Sequence, residues 1–275
     1  MDAAQTIRES IAQVAELRLQ RRSQGALGLA VAQIKALQAQ RFQGTYADLL
    51  QSPTWGPATR FLLDELDSDR DYADRDTQFG RIAGTLQKLF PPPTVGTAVA
   101  LAVLHAQTEA LDQAMGHALL AQQAAPTNAK GTAFSSTSTI ASTSTSTSTS
   151  TALPALDATL YLSAWRAVGQ RAGRQLQLER VLALGTDLAR LTRTPGLRLM
   201  LRMMRRPAQT TGLGALQSFL EAGFDTFGQL ARQRGGVEQF LATIDARERV
   251  LIDDWFDADG VTCATKLATS LGQAR

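Results

Sequence analysis

The sequence predicts an all-α protein, a bundle of about eight to ten helices interrupted by one low-complexity segment. Three observations carry that expectation. Apolar residues recur three and four positions apart, as in Ile7, Ile11, Val14 and Leu17 and again in Leu27, Val31, Ile34 and Leu37; this is the pitch of a helix that buries one face. Ala, Leu, Gln, Glu and Arg dominate the chain, and these residues lose little rotamer freedom in a helix. No alternating run of β-branched residues is bounded by turn residues, so strands are not expected.

The elements follow in order. After the first two stripes, Ser52-Pro53 and Gly56-Pro57 end a short helix carrying Tyr46, Leu49 and Leu50 and open another through Phe61, Leu62, Leu63 and Leu66. Asp67 to Asp71 reads as a polar turn, and Asp74 as the cap of a helix running to Phe90. Pro91-Pro92-Pro93 ends that helix, because proline has no amide hydrogen and its ring clashes with the preceding turn. Thr94 is the expected N-cap of a long helix reaching Gln123. Beyond the low-complexity segment, Tyr161, Leu162, Trp165 and Val168 form a stripe, and a helix spans Ala172 to Thr192. Pro195 opens the next helix, which carries Leu197, Leu199, Met200, Leu201, Met203 and Met204 and stops before Pro207. Two further helices, Leu213–Gln233 and Val237–Phe256, form a hairpin across Gly235-Gly236, and the tail from Asp257 is expected to fray.

Three regions result: a helical half over residues 1–123, a Ser/Thr-rich linker over 124–156, and a second helical half over 157–275 that packs on the first. The tract from Ser135 to Thr151 has almost nothing to bury and is expected to be disordered. With 44% hydrophobic and 19% charged residues the chain as a whole is not of the disordered class. The single cysteine, Cys263, excludes an internal disulfide framework and a cysteine-based zinc site. His105 and His117 are the two histidines, too few for a His-rich metal cluster. The N-terminus lacks the apolar core of a secretory signal, and Val95 to Leu104 falls short of the ~20 residues that span a bilayer. A cytoplasmic protein is the expectation.

Charge is unevenly placed. Residues 1–165 are net −2, residues 166–206 are net +8, and residues 207–275 are net −3. Arginine outnumbers lysine 24 to 4. Within the basic block, Arg198, Arg202, Arg205 and Arg206 fall at i, i+4, i+7 and i+8, which places them on one face of a helix whose other face is Leu and Met. Such a face suits an acidic protein partner, a nucleic acid or a membrane surface. The alternative is a purely structural role, in which these arginines pair with the acidic run Asp64, Glu65, Asp67, Asp69, Asp71, Asp74 and Asp76. Aromatic residues are sparse in the block, which weakens base stacking as a mechanism.

One polar row stands out. His105, Glu109 and Asp112 lie at i, i+4 and i+7, on one face of the long helix after the prolines. A histidine and a carboxylate at that spacing can share a proton or contribute to a metal site; in the structural alternative, Glu109 simply satisfies His105. Known site patterns fail elsewhere. Asp67-x-Asp69-x-Asp71 has Tyr72 and Gln78 where a calcium loop needs Gly and Glu. Gly212-Leu213-Gly214 lacks a preceding strand, no Glu-x-x-His pair suggests a di-iron bundle, and no Gly-x-Ser-x-Gly elbow occurs. No catalytic residue and no metal set is assigned.

The segment FLLDELDSDRDYADRDTQFGRI from Phe61 resembles the signature of the FFLEELY-motif proteins, an uncharacterised bacterial family. Leu104-His105-Ala106 with Glu109, Leu111 and Asp112 fits that likeness, as do Tyr161, Ala164, Trp165 and Arg166, the stretch Thr192–Ala208 and the stretch Gly212–Phe227. Leu62 stands where the signature has Phe, and Asp67 where it has Tyr. The resemblance implies a helical protein and brings no activity, cofactor or catalytic residue. A fold-level analogy with globins would arrange Phe61, Phe79 and His105 around a haem.

These readings converge on a non-enzymatic helical protein that binds an acidic protein partner through Arg198, Arg202, Arg205 and Arg206. No cofactor is expected. The alternatives are a haem or metal bound through His105, and nucleic-acid binding by the 166–206 block.

Overall fold

A computed structural model describes residues 2–66, 72–124 and 155–274. Among these the chain forms thirteen helices and no strand: α1 (Ala3–Ser23), α2 (Gly25–Thr45), α3 (Ala47–Gln51), α4 (Gly56–Leu66), α5 (Ala73–Leu89), α6 (Pro92–Ala124), α7 (Ala158–Val168), α8 (Arg171–Thr192), α9 (Leu197–Met203), α10 (Arg205–Thr210), α11 (Gly214–Leu230), α12 (Gly236–Asp257) and α13 (Gly260–Gln273). The Ser/Thr tract from Ser135 to Thr151 and the acidic turn Asp67 to Asp71 lie outside the described residues.

The 33 residues of α6 make it the axis of the molecule, with α1, α2, α7 and α8 packed along it. One apolar cluster draws on both halves of the chain: Ile34 and Tyr46 meet Met115, Tyr161, Trp165, Phe227, Phe240 and Trp255. Tyr46, Tyr161, Phe227 and Phe240 are fully buried, and each such side chain stabilises the fold by about 1.5–3 kcal/mol relative to exposure. A second cluster seats Ile7 and Ile11 of α1 on Phe79, Ala83 and Leu86 of α5, with Val95 and Ala102 of α6 and Leu216 of α11. The stripes expected in α1 and α2 are thus the inward faces: Ile7, Ile11, Val14, Leu27, Val31, Ile34 and Leu37 are buried, and Leu17, at the end of the first stripe, is half-buried.

Two glycines permit the closest helix approaches. A Cβ on Gly44 would lie 1.8 Å from the backbone oxygen of Ser270, so α2 and α13 touch backbone to backbone there. A Cβ on Gly116 would lie 2.6 Å from Val31, which brings α6 against α2.

Several expectations need correction. Thirteen helices form among the described residues rather than eight to ten, in part because a local break divides one expected helix and the tail folds. Met204, at φ −74° and ψ −10°, separates α9 from α10, and Pro207 sits in the first turn of α10, where no intrahelical donor is lost. Residues after Asp257 do not fray. Asp259 caps α13 by accepting a hydrogen bond from Thr262 N at 2.9 Å, and Cys263 and Leu267 are buried. Thr94 is not a cap, since α6 already begins at Pro92. Asp74 lies inside the first turn of α5, with Tyr72 at the cap position. The last two long helices do flank Gly235, in the left-handed region at φ 66°, yet α12 packs chiefly on α8 rather than on α11.

Candidate functional site

The polar row of α6 points inward. Glu109 and Asp112 are buried, and His105 is largely covered. A leucine-rich helix can bury such groups only if other helices supply partners, since an unpaired buried charge is costly. They do. From α5, Asp76 meets His105 Nε2 at 2.8 Å and also takes Arg18 of α1 at 2.7 Å. Glu109 receives Arg21 of α1 at 2.5 Å and Lys35 of α2. Asp112 accepts from Gln38 of α2 at 3.1 Å, with the Lys35 ammonium 3.9 Å away. His105 is therefore satisfied by Asp76, from another helix, and not by Glu109 one turn along its own.

The three carboxylates differ in electrostatics. Burial pushes Glu109 up, but Lys35 and Arg21 outweigh it and hold its pKa down at about 2. Burial likewise acts on Asp76, and the His105 hydrogen bond and charge, with Arg18, bring it below the ordinary carboxylate value. At Asp112 burial wins over Lys35 and Arg174, and the pKa is raised. One helix face thus holds a firmly ionised carboxylate one turn from a carboxyl group biased toward its neutral form.

Two cavities adjoin this face and share Leu104 and Thr108 as a wall. The smaller, about 40 Å³, is lined by Asp76, Phe79, His105 and Glu109. The larger, about 120 Å³, is lined by Asp112 together with Arg41, Tyr161, Trp165, Arg174 and Trp255. At His105 the Nε2 is engaged by Asp76, and the space beside it is about 40 Å³. Phe79 lines the same cavity as His105, whereas Phe61 packs on Phe219 and Phe227, at 5.9 and 6.1 Å between ring centres. Among the described residues, no group of three His, Cys, Asp or Glu side chains is placed to hold a metal ion.

Residues 17–260 match a family described as a domain of unknown function, DUF8198. The chain belongs to that family. No curated protein and no solved structure matches it. The DUF8198 domain is all-helical, and no helix among its described residues is long and apolar enough to cross a membrane.

The basic block of the DUF8198 domain does not gather on one surface. Arg166 donates to the carbonyls of Trp255 and Ala258, both at 2.6 Å, and Arg171 pairs with Asp253 and Asp257 of α12. Arg174 is buried, Arg180 donates to Gln107, and Arg190 pairs with Asp187. Of the four candidate arginines, Arg198 pairs with Asp225 at 2.7 Å, and Arg205 grips Glu221 through both Nε and Nη2. Their partners lie on α11, not in the acidic run of the first half. Arg202 and Arg206 are exposed, with no partner among the described residues. The break at Met204 puts Arg198 and Arg202 on α9 and Arg205 and Arg206 on α10.

Sequence reasoning found the row on α6 but missed what surrounds it. The spacing of Lys35, Gln38 and Arg41 along the buried stripe of α2 was an available signal, because three polar residues repeat there at a helical interval. Arg174 and the aromatic pair Trp165 and Trp255 carry no such signal; they converge only in three dimensions.

Proposed function

We propose that this protein is a non-enzymatic, cytoplasmic helical protein that docks an acidic protein partner on the corner formed by α9 and α10. The carrying observation is the company that Arg202 and Arg206 keep: Leu199 is 62% exposed and Met203 69% exposed, with Met204 beside them. Large apolar side chains exposed together beside arginines that have no partner among the described residues mark a surface suited to a partner, and Arg and Met are enriched at the centres of protein interfaces. Arg198 and Arg205, already held by Asp225 and Glu221, brace the corner rather than supply its free charge.

The test is quantitative recovery of a partner from the native cell by the full chain and by the double variant Arg202→Ser/Arg206→Ser. Recovery is expected to fall at least about tenfold, as loss of two interface charges implies, while Arg198→Ser retains most of it. Undiminished recovery by the folded double variant refutes the site. Binding of an oligonucleotide that weakens steeply with salt would replace the protein partner by a nucleic acid.

A further inference from the structure

The larger cavity lies some way from that corner, among α2, α6, α7, α8 and α12, and its walls are unusual for a helical core. Trp165 and Trp255 meet edge to face with ring centres 4.8 Å apart and planes at 85°, and Tyr161 packs against Trp255 at 5.7 Å. These rings frame a space of about 120 Å³, close to the ~150 Å³ cavity that accommodates benzene in an engineered protein core. Half-buried Gln177, Val181, Glu248 and Leu251 form the part of the lining that reaches toward solvent between α8 and α12.

The polarity of the walls is directional. Trp165 is 6% exposed, and its buried indole Nε1 has no hydrogen-bond partner among the described residues. An indole N–H only donates, so the group it lacks is an acceptor. On the same ring the guanidinium of Arg174, itself 6% exposed, lies 4.2 Å from the centroid and lines the cavity. The acidic groups facing the space are already engaged. Glu248 takes Arg41 and the Tyr46 hydroxyl, which donates at 2.8 Å, and Asp112 takes Gln38. Burial also favours the neutral form of Asp112, which lessens the negative charge a bound anion would meet. Planar guanidinium and indole donors beside aromatic rings in one lining match a carboxylate carried on a flat apolar body.

We infer that this cavity is a binding site for a small organic monocarboxylate whose apolar part is about the size of one ring. The carboxylate accepts from Trp165 Nε1 and the Arg174 guanidinium, and the ring lies among Tyr161, Trp255 and Leu62.

The experiment titrates the full chain with benzoate, using toluene as the neutral probe and benzylamine as the cationic one, and follows tryptophan emission, to which Trp165 and Trp255 contribute. Saturable benzoate binding at about 1 mM or tighter is expected, with toluene at least about tenfold weaker and benzylamine without effect. Trp165→Phe keeps an aromatic ring but removes the donor, and is expected to weaken benzoate about tenfold while leaving toluene unchanged, with Trp255 as the reporter left in the cavity lining and Trp55 as a constant background. Arg174→Gln, measured in parallel, is expected to lose benzoate and keep toluene. Absence of saturable benzoate binding overturns the inference. So does toluene binding as tightly as benzoate, which would make the space an apolar void. Benzoate affinity unchanged in both variants overturns it equally.

Discussion

The inward face of α6 and the α9–α10 corner use the same chemistry, arginine or lysine against carboxylate, to opposite ends. At α6 each charge is buried and answered from a different helix: Glu109 by α1 and α2, Asp76 by α1 and α6. At the corner Arg198 and Arg205 are more than half exposed and are answered by one neighbouring helix, α11. Water screens the second set and not the first. The interior pairs therefore determine how α1, α2, α5 and α6 fit together, whereas the surface pairs shape a patch that stays available to something else.

The comparison breaks most visibly at Glu109. Glu109→Gln leaves Arg21 and Lys35 facing each other without a counter-charge, and the loss of stability at pH 7 is expected to be about 3 kcal/mol, measured by urea unfolding. The sign against pH follows from the depressed pKa of about 2 against an ordinary 4.5. The stabilisation is complete above about pH 4.5 and is lost as pH falls through about 2, so wild type and variant converge in acid. A difference that stays constant down to pH 2 would mean that Glu109 acts through packing and not through charge.

Asp112 sharpens the contrast from within the same row. Its raised pKa means that ionisation is less favourable in the folded state, so its contribution is full below the ordinary value of 3.8 and is lost as pH rises through the elevated one. Asp112→Asn keeps an acceptor for Gln38 and removes that penalty. Its stability relative to wild type is expected to improve as pH climbs above the ordinary value of 3.8, opposite in sign to Glu109→Gln. Parallel pH profiles for the two variants would show that Lys35 serves both carboxylates equally.

How much of this was legible in the chain depends on sequence distance. The buried stripes of α1 and α2 are local patterns, and Ile7, Ile11, Ile34 and Leu37 read correctly because helix pitch alone places them. The same pitch places His105, Glu109 and Asp112 on one face of α6. Their partners were not legible, since Arg21 lies 88 residues from Glu109 and Gln38 lies 74 from Asp112, and no periodicity spans such gaps. The fold of the tail escaped because its stability comes from burying Cys263 and Leu267 against α2 and α7, a tertiary contribution that weak local propensity does not announce. The break at Met204 escaped because Leu, Met and Arg are all helix formers and no proline or glycine stands at the junction.

The smallest expected effect lies at the corner, and its smallness is informative. Arg205 holds Glu221 through two nitrogens, and that pairing raises its pKa, yet its side chain is more than half exposed to solvent. Solvent screening and the entropy of fixing two long side chains cancel most of what such a pair gains. Arg198→Ser and Arg205→Ser are therefore expected to leave the melting temperature unchanged within error, in water and in 0.5 M salt alike, when followed by circular dichroism. A clear drop for either would show that the α9–α10 corner is braced into the core through α11 as firmly as α6 is through Glu109. The distinction between a structural interior and an available surface would then fail, and with it the reason to look for a partner at Arg202 and Arg206.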